Sequence, residues 1–229
     1  MKNKILNYDF LIIGAGLVGS LAAIALYKKN YKVLVLEKNK SLPVDNRTLA
    51  VNANSRDFLK KLGIWKDIQI EQELIDKIII KDHINKEDLI FQDNTESLGS
   101  VIFNKSLLNI SRNFLKKNKI LLTGYSYKSS SLKPKKIVHL NKKNYVFKKV
   151  IISTGKNFED LEIIKKNSFD SKHNAYVGFF RHNKNHKQIA YEIFTPAGPL
   201  AVLPAPNKRK KTSTFIFSTK KKMTFNNLS

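Results

Sequence analysis

The stretch Asp9–Glu37, DFLIIGAGLVGSLAAIALYKKNYKVLVLE, leaves a chain little choice of fold. Phe10–Ile13 is a short apolar strand, and Gly14, Gly16 and Gly19 follow it as G-x-G-x-x-G. An apolar helix comes next, then a returning strand, Lys32–Leu36. Glu37 closes that strand 18 residues after Gly19. In such a unit the first glycine makes the tight turn and the second lets backbone approach a pyrophosphate. The third lets the helix pack on the strands. The helix N-terminus favours an anion, and a strand-end acid accepts from ribose hydroxyls. The pattern therefore predicts a dinucleotide site at Gly14, Ala15, Gly16, Leu17, Val18, Gly19, Glu37 and the adjoining Lys38.

The same stretch carries a competing signal. Phe10–Leu26 is a nearly unbroken apolar run of 17 residues behind Lys2 and Lys4. A membrane span needs roughly 20 residues and does not begin with a glycine turn. A removable leader would not explain a Val/Leu strand ending in an acid at the right distance.

The length of 229 residues allows one large domain or two small ones. No cysteine is present, which excludes disulfides, thiolate metal sites and thiol catalysis. The net charge of +24 raises nucleic acid as a partner. However, only Arg47, Arg56, Arg112, Arg181 and Arg209 among 42 basic residues are arginine, the side chain suited to bidentate phosphate and base contacts. Scattered lysine with abundant asparagine and isoleucine reads as drift on solvated faces. No nucleic-acid partner is expected, whereas attraction to anionic lipid head groups stays open.

Further along, Ser55 is read as an N-cap and Gly63 as a helix stop, with Phe58, Leu59 and Leu62 on one apolar face. Lys77–Asp82 and Asp88–Gln92 read as strands. Phe103–Lys117 has helical periodicity suited to core packing. Lys119–Thr123, Tyr125–Ser130, Lys136–Leu140 and Tyr145–Ile152 read as β runs, with turns at Leu132–Lys136 and Asn141–Asn144. The last run ends in Ser153-Thr154-Gly155, where Gly155 suggests positive φ or close backbone approach. From Ser168 onward, Asn174–Arg181, Gln188–Thr195, Pro199–Leu203 and Thr212–Ser218 read as an antiparallel meander, a second, sheet-based region. His182 and His186 are four apart but lack a third ligand, so no metal is expected. Lys208–Lys211 reads as an exposed hairpin tip.

Four blocks together resemble the FAD-dependent aromatic hydroxylases (group A flavin monooxygenases), above all the branch acting on ubiquinone precursors. They are the N-terminal glycine unit, DNRTLAVNANSRDFLKKLGIW, LGSVIFNKSLLNI and YEIFTPAGPLAVLPAP. The resemblance implies an α/β fold: a Rossmann-like FAD-binding domain of the GR2 type, interleaved with an antiparallel-sheet substrate domain and truncated at the C-terminus. The FAD-binding domain is expected at 1–75 and 101–165, the substrate sheet at 76–100 and 166–229. The resemblance further implies FAD on the glycine turn and at Glu37, with Arg47, Lys105 and Gly155 as further cofactor contacts. Pro199, Leu200 and Leu203 are expected near the substrate pocket. NAD(P)H is implied as reductant, O2 as co-substrate and a hydrophobic aromatic molecule, a prenylated phenol, as substrate. No side chain maps as an obligatory acid or base.

Three departures accompany the likeness. Lys105 stands where the family usually has arginine. Ser153-Thr154-Gly155-Lys156 stands where the family has Asp-Gly, with Glu162 near the place of a following arginine. A second FAD motif of Gly-Asp type would lie beyond Ser229. If the reading frame continues, a hydroxylase is expected; if not, a degenerate or partner-dependent FAD-binding module. An isoprenoid-lipid reductase would share only the first block. The implied setting is cytoplasmic, with peripheral contact at the inner face of the membrane and membership of a multi-enzyme assembly or a homo-oligomer.

Overall fold

The computed structural model describes residues 5–41, 45–82, 87–125, 137–140, 142–155, 169–220 and 222. The chain divides into two compact units, 1–44 with 107–167 and 45–106 with 168–229.

The first unit is built on a sheet of five strands: β1 (Ile5–Ile13), β2 (Val33–Glu37), β8 (Leu121–Thr123), β9 (Ile137–Leu140) and β10 (Lys143–Ile152). Their order is β8-β2-β1-β10-β9. β1 lies parallel to β2 and to β10, β2 parallel to β8, and β9 antiparallel to β10. α1 (Leu17–Lys28) connects β1 to β2. A parallel strand of this kind is covered on both faces, and every residue of β2 is buried. Leu11, Ile13, Leu34, Leu36, Val138, Leu140, Tyr145 and Phe147 form one core cluster. Each such aliphatic side chain contributes about 2 kcal/mol on burial.

The second unit holds two sheets. β3 (Thr48–Asn52), β4 (Glu73–Ile75) and β7 (Gly99–Phe103) form an antiparallel sheet ordered β3-β7-β4. β5 (Lys77–Asp82), β6 (Leu89–Gln92), β11 (Asn174–Arg181), β12 (Ile189–Thr195), β13 (Gly198–Pro204) and β14 (Thr212–Thr219) form the other, ordered β11-β14-β13-β12-β5-β6. Ile75, Val101 and Ala190 make its core, with Ile78 and Leu203 against them. Two short helices, α2 (Ala53–Lys61) and α3 (Trp65–Ile68), follow β3. α4 (Asn104–Lys117) runs from the second unit into the first.

Several expectations shift. The late strands are not a simple meander: β11 pairs with β14, and β12 runs parallel to β5. The short runs β3, β4 and β7 pair only with each other, so residues 45–75 and 101–106 fall with the second unit. Asn52, not Ser55, caps α2: Asn52 is extended at the end of β3, and its side chain accepts from the Ser55 N–H at 2.9 Å. Gly63, at φ 69°, does end that helical stretch. The run 125–130 and the turn 132–136 lie outside the described residues, apart from Tyr125.

Candidate functional site: the glycine turn and its anchors

The turn after β1 is shaped by contact. Gly14 sits at φ 97°, where a Cβ would come 2.5 Å from the Ser153 carbonyl oxygen. A Cβ on Gly19 would come 2.0 Å from the Gly14 carbonyl oxygen and 2.3 Å from Ser153 Oγ. Gly16 differs, because a Cβ there would meet nothing within 4 Å. Gly16 also N-caps α1 without any side-chain cap, and the first turn holds no acid. Leading N–H groups without a side-chain cap, a positive helix end and open space over one glycine are what a pyrophosphate requires. The residues present therefore fit a dinucleotide's phosphates. Val18, 74% exposed, lies on the same first turn, and Leu17 is half-buried.

Glu37 is buried at the end of β2, but its carboxylate is already engaged. Oε2 accepts from the Ala15 N–H at 2.8 Å and from Arg112 Nη2 at 3.1 Å. Oε1 accepts from the Asn39 N–H at 3.0 Å. A carboxylate has about four acceptor positions, so Oε1 keeps one for a ribose hydroxyl. Arg112 Nε also donates to the Ala15 carbonyl at 2.8 Å, and the Ser20 hydroxyl reaches the same oxygen at 3.1 Å. Arg112 thus ties the turn to the strand-end acid. Opposite, the Ser153 hydroxyl lies 2.9 Å from the carbonyls of both Ile13 and Gly14.

Neither Arg112 nor Ser153 was singled out as a site residue from sequence. Arg112 had a signal: it falls four residues after Leu108 and three before Leu115, on the buried face of α4, in a chain that otherwise uses lysine. Ser153 gave none. Thr154, at the family's Asp position, has a buried Oγ1 without a hydrogen-bond partner. Gly155 is exposed at φ 64°, the left-handed turn its type suggests. Lys38 is exposed just after β2.

The remaining sequence candidates lie in the second unit. Arg47 forks onto Asp45, with Nε at 2.9 Å from Oδ1 and Nη2 at 2.8 Å from Oδ2. The guanidinium beside Asp45 holds that carboxyl down at about 2. The Asn104 side chain also donates to Asp45, and its backbone N–H to the Arg47 carbonyl at 3.0 Å. Lys105 is exposed on the first turn of α4. The three pocket candidates do not share a face: on β13, Pro199 and Leu203 have one parity and Leu200 the other. Leu203 packs into the core of its unit.

The FAD binding domain family matches residues 7–110, a range that includes the whole glycine turn and Glu37. Over that range the chain is similar to the FAD binding domain family. The mitochondrial ubiquinone biosynthesis monooxygenase COQ6 of Dictyostelium discoideum is 23% identical over 90% of this chain and 52% of that protein. The chain therefore spans about half the length of that relative. Two solved structures show the same fold. CtdE in complex with FAD and substrate 4 has a TM-score of 0.70 at 14% identity, covering 95% of this chain and 58% of that one. The p-nitrophenol 4-monooxygenase PnpA of Pseudomonas putida DLL-E4 has a TM-score of 0.70 at 13% identity, covering 98% and 60%. Around the glycine turn, Glu37 and Arg112 are the side chains that tie the backbone at Ala15. No helix among the described residues is long and apolar enough to cross a membrane, and no group of three metal-ligating side chains occurs among them.

Proposed function

We propose that this protein takes part in FAD-dependent hydroxylation of an aromatic ring, with a prenylated phenol of ubiquinone biosynthesis as substrate and NAD(P)H as reductant. The observation that carries the reading is the open space over Gly16 between two glycines closed by backbone. It suits a pyrophosphate, and the likeness to COQ6 supplies the substrate class. When bound, FAD would supply the oxygen chemistry. The chain's own residues hold and orient it. The α1 N-terminus faces the phosphates, Oε1 of Glu37 takes a ribose hydroxyl, and Arg112 keeps that carboxylate in place. Cytoplasmic placement with peripheral membrane contact suits so apolar a substrate.

A second reading, FAD binding without hydroxylation by this chain alone, is favoured by Thr154, whose buried hydroxyl has no partner where the family has aspartate. One experiment separates the two. The purified chain is titrated with FAD, then given NADH or NADPH, O2 and a prenylated phenol, and the product is weighed by mass spectrometry. A product heavier by one oxygen supports hydroxylation. FAD uptake with no product supports the second reading, and no FAD uptake sinks both.

A further inference from the structure

The five arginines of this chain divide in a telling way. Arg47 pairs with Asp45, Arg56 with Glu96 and Arg112 with Glu37. Arg181 and Arg209 have no carboxylate partner among the described residues. Both line one cavity of about 780 Å³ in the second unit, together with Phe179, Phe180, His182 and Lys210. In a chain whose basic charge is almost all lysine, two arginines without a carboxylate partner among the described residues line one cleft.

The cleft is built rather than incidental. It is lined by two segments, residues 179–183 at the end of β11 and residues 209–212 leading into β14. Four of these nine residues, Arg181, Arg209, Lys210 and Lys211, are basic, against 42 of 229 in the chain, and none is acidic. Backbone bonds tie the two segments together: His182 N–H to the Lys211 carbonyl at 3.1 Å and His186 N–H to the Lys210 carbonyl at 3.0 Å. His182 Nε2 is held against Ser213 Oγ at 3.0 Å. Lys187, Gln188, Asn207 and Lys208 all have φ between 50° and 70°, a conformation side chains other than glycine seldom adopt. These four residues flank the lining segments, which themselves carry basic and no acidic side chains. The nearby carboxyl, Glu73, is buried, and burial raises its pKa against the pull of Lys210 and Lys208.

We propose that this cleft is a binding site for a phosphorylated ligand, with Arg181 and Arg209 as its two phosphate contacts and Phe179, on the same face of β11 as Arg181, as an apolar wall. Guanidinium forks match phosphate oxygens bidentately, and lysines add point charge around them. Phe179, 39% exposed, suits the organic part of the ligand, a base or an acyl chain. The chemistry is shared by soluble nucleotides and by anionic lipid head groups. The site is separate from the glycine turn, so the proposal does not rest on the hydroxylase reading.

The test uses the full chain. Inorganic pyrophosphate and ADP are titrated by calorimetry into protein held in saturating FAD, which fills the glycine turn, and capture is measured on phosphatidylcholine vesicles with and without phosphatidylglycerol. Pyrophosphate is expected to bind with one-to-one stoichiometry. The double variant Arg181→Gln/Arg209→Gln is expected to weaken it at least about tenfold. Lys116→Gln/Lys117→Gln, which removes the same charge from the end of α4, should leave binding unchanged. Arg181→Lys/Arg209→Lys, which keeps the charge and loses the forks, should weaken it several-fold and covers failure of the first pair to fold. ADP binding without vesicle capture assigns a soluble nucleotide, whereas capture that pyrophosphate reverses assigns a lipid head group. The proposal is overturned by absence of pyrophosphate binding, by equal loss in the Lys116/Lys117 pair, or by vesicle capture that survives the arginine variants.

Discussion

Two glycines show how differently the two units are made. In the first, a Cβ on Gly19 would come 2.0 Å from the Gly14 carbonyl; in the second, a Cβ on Gly198 would come 2.0 Å from the Ser218 carbonyl. The local closeness is the same, but the surroundings are not. Around Gly19 the turn is tied by Glu37, Arg112, Ser20 and Ser153, beside a strand buried along its whole length. Around Gly198, β12 and β13 are mostly half-buried, and the polar tie is the Thr195 hydroxyl on the Gly198 carbonyl at 2.7 Å. The glycine turn is fixed by side-chain anchors drawn from far along the chain. The sheet turn is fixed by its own strand register.

The sharpest way to break that comparison is to remove an anchor. Arg112→Met should destabilise the protein by about 4 kcal/mol, because it leaves the Glu37 carboxylate buried without its cation. Denaturant unfolding measures this, and Arg112→Met/Glu37→Gln should recover much of the loss. An unchanged midpoint in the single variant would show that Arg112 is no anchor. Next, Gly19→Ala and Gly198→Ala should each cost about 3 kcal/mol through overpacking against backbone. Only Gly19→Ala should also abolish FAD retention, and equal FAD loss in both would erase the distinction between the units.

A smaller effect concerns the 45–47 loop of the second unit. Asp45 is held below its ordinary 3.8, at about 2, by Arg47. A depressed acid stabilises the folded state above its unfolded pKa, and that contribution is lost as pH falls through the folded value. The gap between the wild type and Arg47→Ala should therefore be on the order of 1 kcal/mol at neutral pH, since the arginine is solvent-screened. It should shrink between about pH 4 and pH 2; a gap unchanged by acid would remove Asp45 from the account. The smallest effect on stability belongs to Gly16→Ala. Its φ of −68° suits any residue and the Cβ meets nothing, so unfolding should move by under about 0.5 kcal/mol. FAD affinity should nonetheless fall at least about tenfold, because the methyl occupies the pyrophosphate's space. Unaltered affinity would place the cofactor elsewhere.

Much of the fold was legible because local patterns carried it. β5 and β11 have the bounds read for them from the sequence, and α4 starts one residue later than its periodicity indicated. β3, β4 and β7 were not legible. They are three to five residues long, and each gains its identity only from a partner far away in sequence. Of the site, the glycines were readable as a spaced motif, although backbone closes only Gly14 and Gly19 and leaves Gly16 open. The state of Glu37 was not: its chemical type suggested a ribose acceptor, yet which groups already hold it depends on Ala15, Asn39 and Arg112.

By itself, the sequence determined the strand–turn–helix–strand unit, the three glycine positions and the acid at Glu37. Those follow from backbone sterics and hydrophobic spacing, which act over a few residues. Only the tertiary structure decided that Arg112 closes the turn from 97 residues away, that β12 runs parallel to β5, and that Arg181 and Arg209 share a cleft. Partners distant in the chain leave no local period, so a side chain's bonds are settled only when packing brings them within reach.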